Sequence, residues 1–247
     1  MSDQGASEQS PWTRPGFIVA AVVVVIIVVV GIVLGLRGMS GNDDAAPAPT
    51  SSGDPAPPSP TATAPVSGQD ASVCGLDGEK LSGTLPKAPA AEWAYQGVIA
   101  YPKSPEFGPG ITDASSVRTC FQHSPEGALF AAANAIAQGS DPATAEPWLN
   151  AALSDGANRD RFLSEAGAQG TSGMRLELAG FRLLAYDGDT ARVDLGYQVS
   201  ADGQAGAVSA VTELVWQNGD WKVRADLDAP LDVAPVPDLA GYVSWGP

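Results

Sequence analysis

The run AAVVVVIIVVVGIVLG, beginning at Ala20, constrains this chain more than any other stretch. With its flanks it extends from Phe17 to Leu36, bounded by Arg14 and Arg37. Twenty residues at about 1.5 Å each cross the roughly 30 Å hydrocarbon core, so residues 17–37 read as one transmembrane helix. A cleaved signal peptide would have a shorter apolar region, about 7 to 15 residues, ending at a small-residue cleavage site. No Cys follows the run closely, which argues against a lipoprotein. Residues 1–16 form a short tail, too short to fold alone, with Trp12 at an interface position. Arg14 and Arg37 balance each other, so loop charge gives no orientation.

Orientation comes from the cysteines. Only Cys74 and Cys120 occur, both beyond the anchor. Two thiols there read as a disulfide closing a loop of about 46 residues. The alternatives are a two-thiol metal site, which lacks further ligands, and two unrelated buried thiols. A disulfide places the C-terminal domain outside the cytoplasm and the N-terminus inside.

Residues 38–72 are rich in Pro, Ala, Ser and Thr, with seven prolines between Gly41 and Ser72. Such a segment buries too little apolar surface to offset its ordering entropy, and its prolines favour an extended stalk. Residues 73–247 have the length of one domain. From Cys74 onward there are 22 acidic and 11 basic side chains, a formal −11 that disfavours nucleic acid as a partner.

Within the domain, Trp93, Tyr95, Ile99 and Tyr101 alternate as one strand within a wrapping arm. In HSPEGALFAAANAIAQG, Ser124 is a natural N-cap, Pro125 suits the first helical position and Glu126 the positive helix end, with Gly139 at the stop. A second helix follows Asp141 as cap, kinked or restarted by Pro147, and NRDRFLSEAGAQG is a third, weaker helical stretch. After Gly173 the period becomes two. Ala191, Val193, Leu195, Tyr197 and Val199 share one face, with Arg192, Asp194 and Gln198 on the other. Turns at Asp187-Gly188 and Asn218-Gly219 complete a four-strand antiparallel meander, with Gly180 at a bend or bulge. Helices followed by such a meander predict an α+β domain of two to three helices on a curved antiparallel sheet.

Chemistry is sparse. His123 is the only histidine, so a multi-histidine metal site is excluded, and its place beside Ser124 reads as structural. Asp187 and Asp189 lack the further oxygen ligands of a calcium loop. Asp226, Asp228 and Asp232 read as a solvated exit after the last strand, and no buried carboxylate with an oxyanion donor stands out. The expectation is therefore no catalytic residue, no metal and no cofactor. Arg192, Asp194 and Gln217 are expected on an outward sheet face open to a partner protein.

The order of elements resembles the nuclear-transport-factor-2-like fold. CGL at Cys74, CFQHSPEGALFAAAN from Cys120 and the closing GYVSWGP resemble an uncharacterised family of actinobacterial single-pass membrane proteins linked to integrative conjugative elements. In architecture the chain is similar to bitopic scaffold subunits of type IV secretion systems, including TcpC-like proteins. The resemblance implies a membrane-anchored, non-catalytic scaffold of conjugal transfer machinery, whose partners are other membrane or envelope proteins. An accessory or sensor protein holding a small ligand or lipid in the cone is the alternative. An envelope enzyme is a third, disfavoured by the poor inventory.

Gly31 and Gly35 form a Gly-x-x-x-Gly face on which two anchors can approach closely, giving a homo-oligomer. Changing both to Ile is expected to weaken self-association in a membrane two-hybrid assay, whereas an unchanged signal would assign any oligomer to the outer domain.

Overall fold

The computed structural model describes residues 72–165, 175–201 and 204–247. The expected anchor, with Gly31 and Gly35, and nearly all of the Pro-rich segment lie outside the described residues. Among the described residues no helix is long and apolar enough to cross a membrane. The order of elements is β1 (Glu92–Gln96), β2 (Ile99–Lys103), β3 (Ile111–Thr112), β4 (Arg118–Thr119), α1 (Pro125–Gly139), α2 (Ala145–Ala152), α3 (Arg159–Glu165), β5 (Arg175–Tyr186), β6 (Thr190–Ala201), β7 (Gln204–Gln217), β8 (Asp220–Val223), β9 (Leu231–Val236) and β10 (Val243–Ser244). This is an α+β fold with a mainly antiparallel sheet.

Helix α1 starts where its sequence says. Ser124 is extended at φ −156°, its hydroxyl accepts the Gly127 N–H at 3.0 Å, and Pro125 fills the first turn. The helix is buried around most of its circumference, and its alanines let neighbours approach from several sides. On one side lies the sheet, ordered β10-β5-β6-β7-β8, with β9 also pairing with β7. Its inner face supplies Phe181, Val193, Leu195, Tyr197 and Leu214, all essentially fully buried. On another side packs the β1–β2 hairpin, with the Asn134 side-chain amide donating to the Pro102 carbonyl at 3.0 Å. Trp245 fills the space between them, its ring 5.1 Å from that of Trp93 and 5.3 Å from that of Phe130.

The meander follows its turn chemistry. Asn218 and Gly219 both adopt positive φ, 56° and 75°, the conformation a two-residue hairpin needs to match strand twist. Pairing of β5 with β6 skips a residue between Leu178 and Gly180 and another between Leu183 and Ala185, which bends β5.

Three expectations are corrected. The arm holds a hairpin, not one strand. Gly97, at φ 59°, reverses the chain through a two-residue turn that swaps the faces of odd and even positions, but the large residues stand at odd positions on both sides of it, so the break was invisible to periodicity. Register places Trp93 and Tyr95 opposite Pro102 and Ala100, so Ile99 and Tyr101 belong to the other face. Helix α2 begins at Ala145 with Thr144 as its cap residue, while Asp141 turns the preceding loop by accepting the Ala143 N–H. Pro147 thereby falls in the first turn, where its missing N–H costs nothing. Finally, the acidic exit contains a strand. β9 lies on the edge of β7 beside β8, and Pro235 is tolerated on that edge.

Cys74 and Cys120 form the expected disulfide, with Cα atoms 6.0 Å apart. It fastens the first described residues to the entrance of α1, across a sequence separation of 46. Such a loop is worth up to about 4 kcal/mol in the chain-entropy model. Reduction is expected to lower the thermal midpoint by several degrees in a calorimetric scan, and coincident midpoints with and without reductant would contradict that.

Candidate functional site

His123, the residue most able to do chemistry by type, is enclosed. Its ring stacks on Trp216 at 3.9 Å and 3°, and Trp221 meets it edge-on at 5.8 Å. Nε2 lies 2.7 Å from the Gly188 carbonyl, and Nδ1 lies 2.9 Å from Glu79 Oε1. The Glu79 contact is close, but Nδ1 makes no hydrogen bond to it or to any other described residue. Lys80 N–H donates to the His123 carbonyl at 2.8 Å. The imidazole thus joins the arm near Glu79, the β5–β6 turn and the start of α1. Among the described residues no hydroxyl or thiol is placed to give a proton to either ring nitrogen.

The sequence offered no buried carboxylate paired with an oxyanion donor, and among the described residues two carboxylates are buried, Asp220 and Asp194. Asp220 Oδ2 accepts the Cys120 N–H at 2.9 Å, and Oδ1 accepts those of Phe121 and Trp221 at 2.8 and 2.9 Å. Burial pushes this carboxyl up, while Lys222, 3.7 Å away, and the backbone donors pull it back.

Asp194 is the second, and it corrects the expectation of an outward partner face. Its side chain is 0% exposed. Oδ1 accepts from Ser209 at 2.6 Å, and Oδ2 accepts from Arg182 Nε at 3.0 Å and the Tyr242 hydroxyl at 2.8 Å, with Arg182 Nη2 also bonded. The Asp194 hydrogen bond raises the Arg182 guanidinium above its ordinary value. The cover is the chain between β9 and β10, which crosses the outer face. At Gly196 an added Cβ would lie 2.7 Å from Leu239 Cδ2 and 2.9 Å from Tyr242 Cδ1, so a larger residue there would force those side chains to move.

Arg192 and Gln217 do reach the surface. Arg192 pairs across the strands with Glu213 at 2.9 Å, and Gln217 Oε1 accepts the Asp155 N–H at 2.9 Å. Asp194 is not part of any exposed face they form.

The feature sequence reasoning missed is a groove of about 370 Å³ lined by Tyr95, Gln96, Tyr101, Arg118, Asp141 and Thr144, with Ser115 and Ser116 at the adjoining turn. Arg118 is only 5% exposed. Its Nε donates to Asn134 Oδ1 at 2.7 Å, its Nη2 donates to Gln96 Oε1 at 2.6 Å, and its guanidinium carbon sits 3.8 Å from the Tyr101 ring centre. Desolvation lowers its pKa, opposed by Tyr101 and Asp141. Asp141 is held below the usual carboxylate range by its Gln96 hydrogen bond and the Ala143 N–H. A signal existed: Asn134 and Gln138 stand four apart in a helix otherwise rich in alanine. They share one face, and Gln138 Oε1 accepts the Arg118 N–H at 2.6 Å. Among the described residues no group of three or more His, Cys, Asp or Glu could hold a metal ion.

The chain belongs to a family defined by a domain of unknown function, DUF8175, whose model matches residues 53–244. No curated protein and no solved structure matches it.

Asp194→Ala strands Ser209 and Tyr242 without their acceptor and is expected to cost about 2–4 kcal/mol. Tyr242→Phe should cost about 1 kcal/mol, and Arg192→Ala under about 0.5 kcal/mol because its ion pair is half in water. Urea unfolding ranks them, and an Asp194→Ala midpoint equal to that of Arg192→Ala would remove the cluster's role in holding the crossing chain.

Proposed function

We propose that this protein is a non-catalytic, single-pass scaffold or assembly component of an envelope complex, part of conjugal transfer machinery of the type IV secretion kind. Residues 17–37 anchor it, the N-terminus is cytoplasmic, and the domain after residue 72 stands outside, built on a nuclear-transport-factor-2-like plan. Its partners are other membrane or envelope proteins, including further copies of itself through Gly31 and Gly35.

The observation that supports this most is how the polar groups are spent. His123, Asp194 and Asp220 each tie together segments distant in sequence, and none is presented to a cavity that could admit a substrate. One void, between α1, α2 and β8, is about 10 Å³, room for one water, whereas a small-ligand site needs several hundred. That weighs against a lipid or ligand held inside the cone. Contact through the surface remains, with Arg192 and Gln217 on the accessible side of the sheet.

Transfer frequency of the mobile element in a deletion strain complemented with variants, with protein level checked by blot, tests the reading. His123→Ala should reduce transfer only in proportion to lost protein, while Arg192→Glu combined with Gln217→Arg should lower it by about tenfold or more at normal protein level. A His123 variant that accumulates normally but abolishes transfer, with the surface variant neutral, would overturn it in favour of chemistry at that imidazole.

A further inference from the structure

Arg118 is a cation withdrawn from water with no carboxylate in direct contact, and the acidic charge that acts on it, Asp141, reaches it only through the Gln96 amide. Its Nε and Nη2 donate to neutral amides, those of Asn134 and Gln96, and among the described residues no carboxylate lies within ion-pair distance of it. A guanidinium carries five N–H donors, and those two bonds use Nε–H and one of the Nη2 hydrogens, so the remaining donors lie on Nη1 and Nη2 beside Tyr101, which also interacts with the cation. Buried charges are normally paired, because desolvation otherwise goes uncompensated. Here the cation instead lines an open groove of about 370 Å³.

The groove suits a particular kind of anion. Two parallel N–H donors on a planar fork match a carboxylate, and the neutral amides fix the fork's orientation before anything binds. Tyr95, 63% exposed on the groove wall, offers a flat apolar surface with no role in the core. Asp141 lies on the same groove and the domain as a whole is acidic, so a second negative charge on the ligand would be repelled. We propose that this groove is a binding site for a monocarboxylate with a small aromatic or apolar body, its carboxylate held by Arg118 and its body lying against Tyr95. The carboxylate belongs either to a free small acid or to the C-terminal end of a peptide chain, and the site does not depend on the scaffold reading.

Saturation-transfer NMR on the full chain tests this with benzoate, benzamide, inorganic phosphate, and a tripeptide ending in phenylalanine prepared as free acid and as C-terminal amide. At least one carboxylate should bind while its amide does not, and Arg118→Lys and Tyr95→Ala should each weaken binding by about tenfold. Tyr95→Ala should keep the wild-type unfolding midpoint, so its loss of binding is not loss of fold. Tighter binding of the free-acid tripeptide than of benzoate assigns the chain end as the source, and the reverse assigns a free acid. Equal binding of acids and amides, no binding of either acid at about 10 mM, or indifference to both substitutions overturns the proposal. Preference for phosphate over both carboxylates overturns the assigned ligand class.

Discussion

The carboxylate of Asp220 holds the two halves of this domain in register. It sits at the start of β8, just past the Asn218-Gly219 turn, and both oxygens accept backbone N–H groups from the segment that enters α1. Those donors belong to Cys120 and Phe121, so one side chain satisfies two amides that belong to no ladder of the main sheet. Cys120 itself has φ 68°, a left-handed conformation rare for a residue with a Cβ. Everything that follows, Ser124 as cap and His123 against Trp216, takes its position from that turn. An amide in place of Asp220 would have to direct an N–H at another N–H, so the carboxylate has no isosteric substitute here.

The same logic explains the outer face of the sheet. Open antiparallel sheets leave one side to water, and β6 alternates as though it did. Asp194 lies on the polar side of that alternation and is nonetheless sealed, because the chain leaving β9 crosses to β10 over it. Burying a carboxylate there is tolerable because every lone pair that faces protein meets a donor: Arg182, Ser209 or Tyr242.

What could be read in the sequence was whatever is encoded locally. The Ser124 cap, the Asn218-Gly219 turn and the period-two strands depend on neighbours a few residues away, and each stands where the pattern put it. Parity assigns Asp194 to a face but cannot say which later segment covers that face. It failed at the β1–β2 hairpin for a related reason, since the turn swaps faces while the large residues stay at odd positions on both sides of it. Arg118, Asp194 and Asp220 take their meaning from residues as much as a hundred positions away, as Asp220 does from Cys120. The groove stayed invisible because its walls come from β1, β2, the turn before β4 and the loop before α2.

The disulfide has a mechanical consequence. The first described residues are fastened twice in quick succession, by the Val73 N–H to the Gly219 carbonyl at 2.9 Å and by Cys74 to Cys120. Tension drawn along the chain from its N-terminal side would therefore meet a covalent link almost at once. It would be delivered to Cys120, whose N–H is held by Asp220, and so to α1 and the β7–β8 hairpin together. The arm from residue 75 to the β1–β2 hairpin lies inside the closed loop and carries none of that load. A chain pulled from this end passes its load through the disulfide before any strand of the β1–β2 hairpin is drawn on.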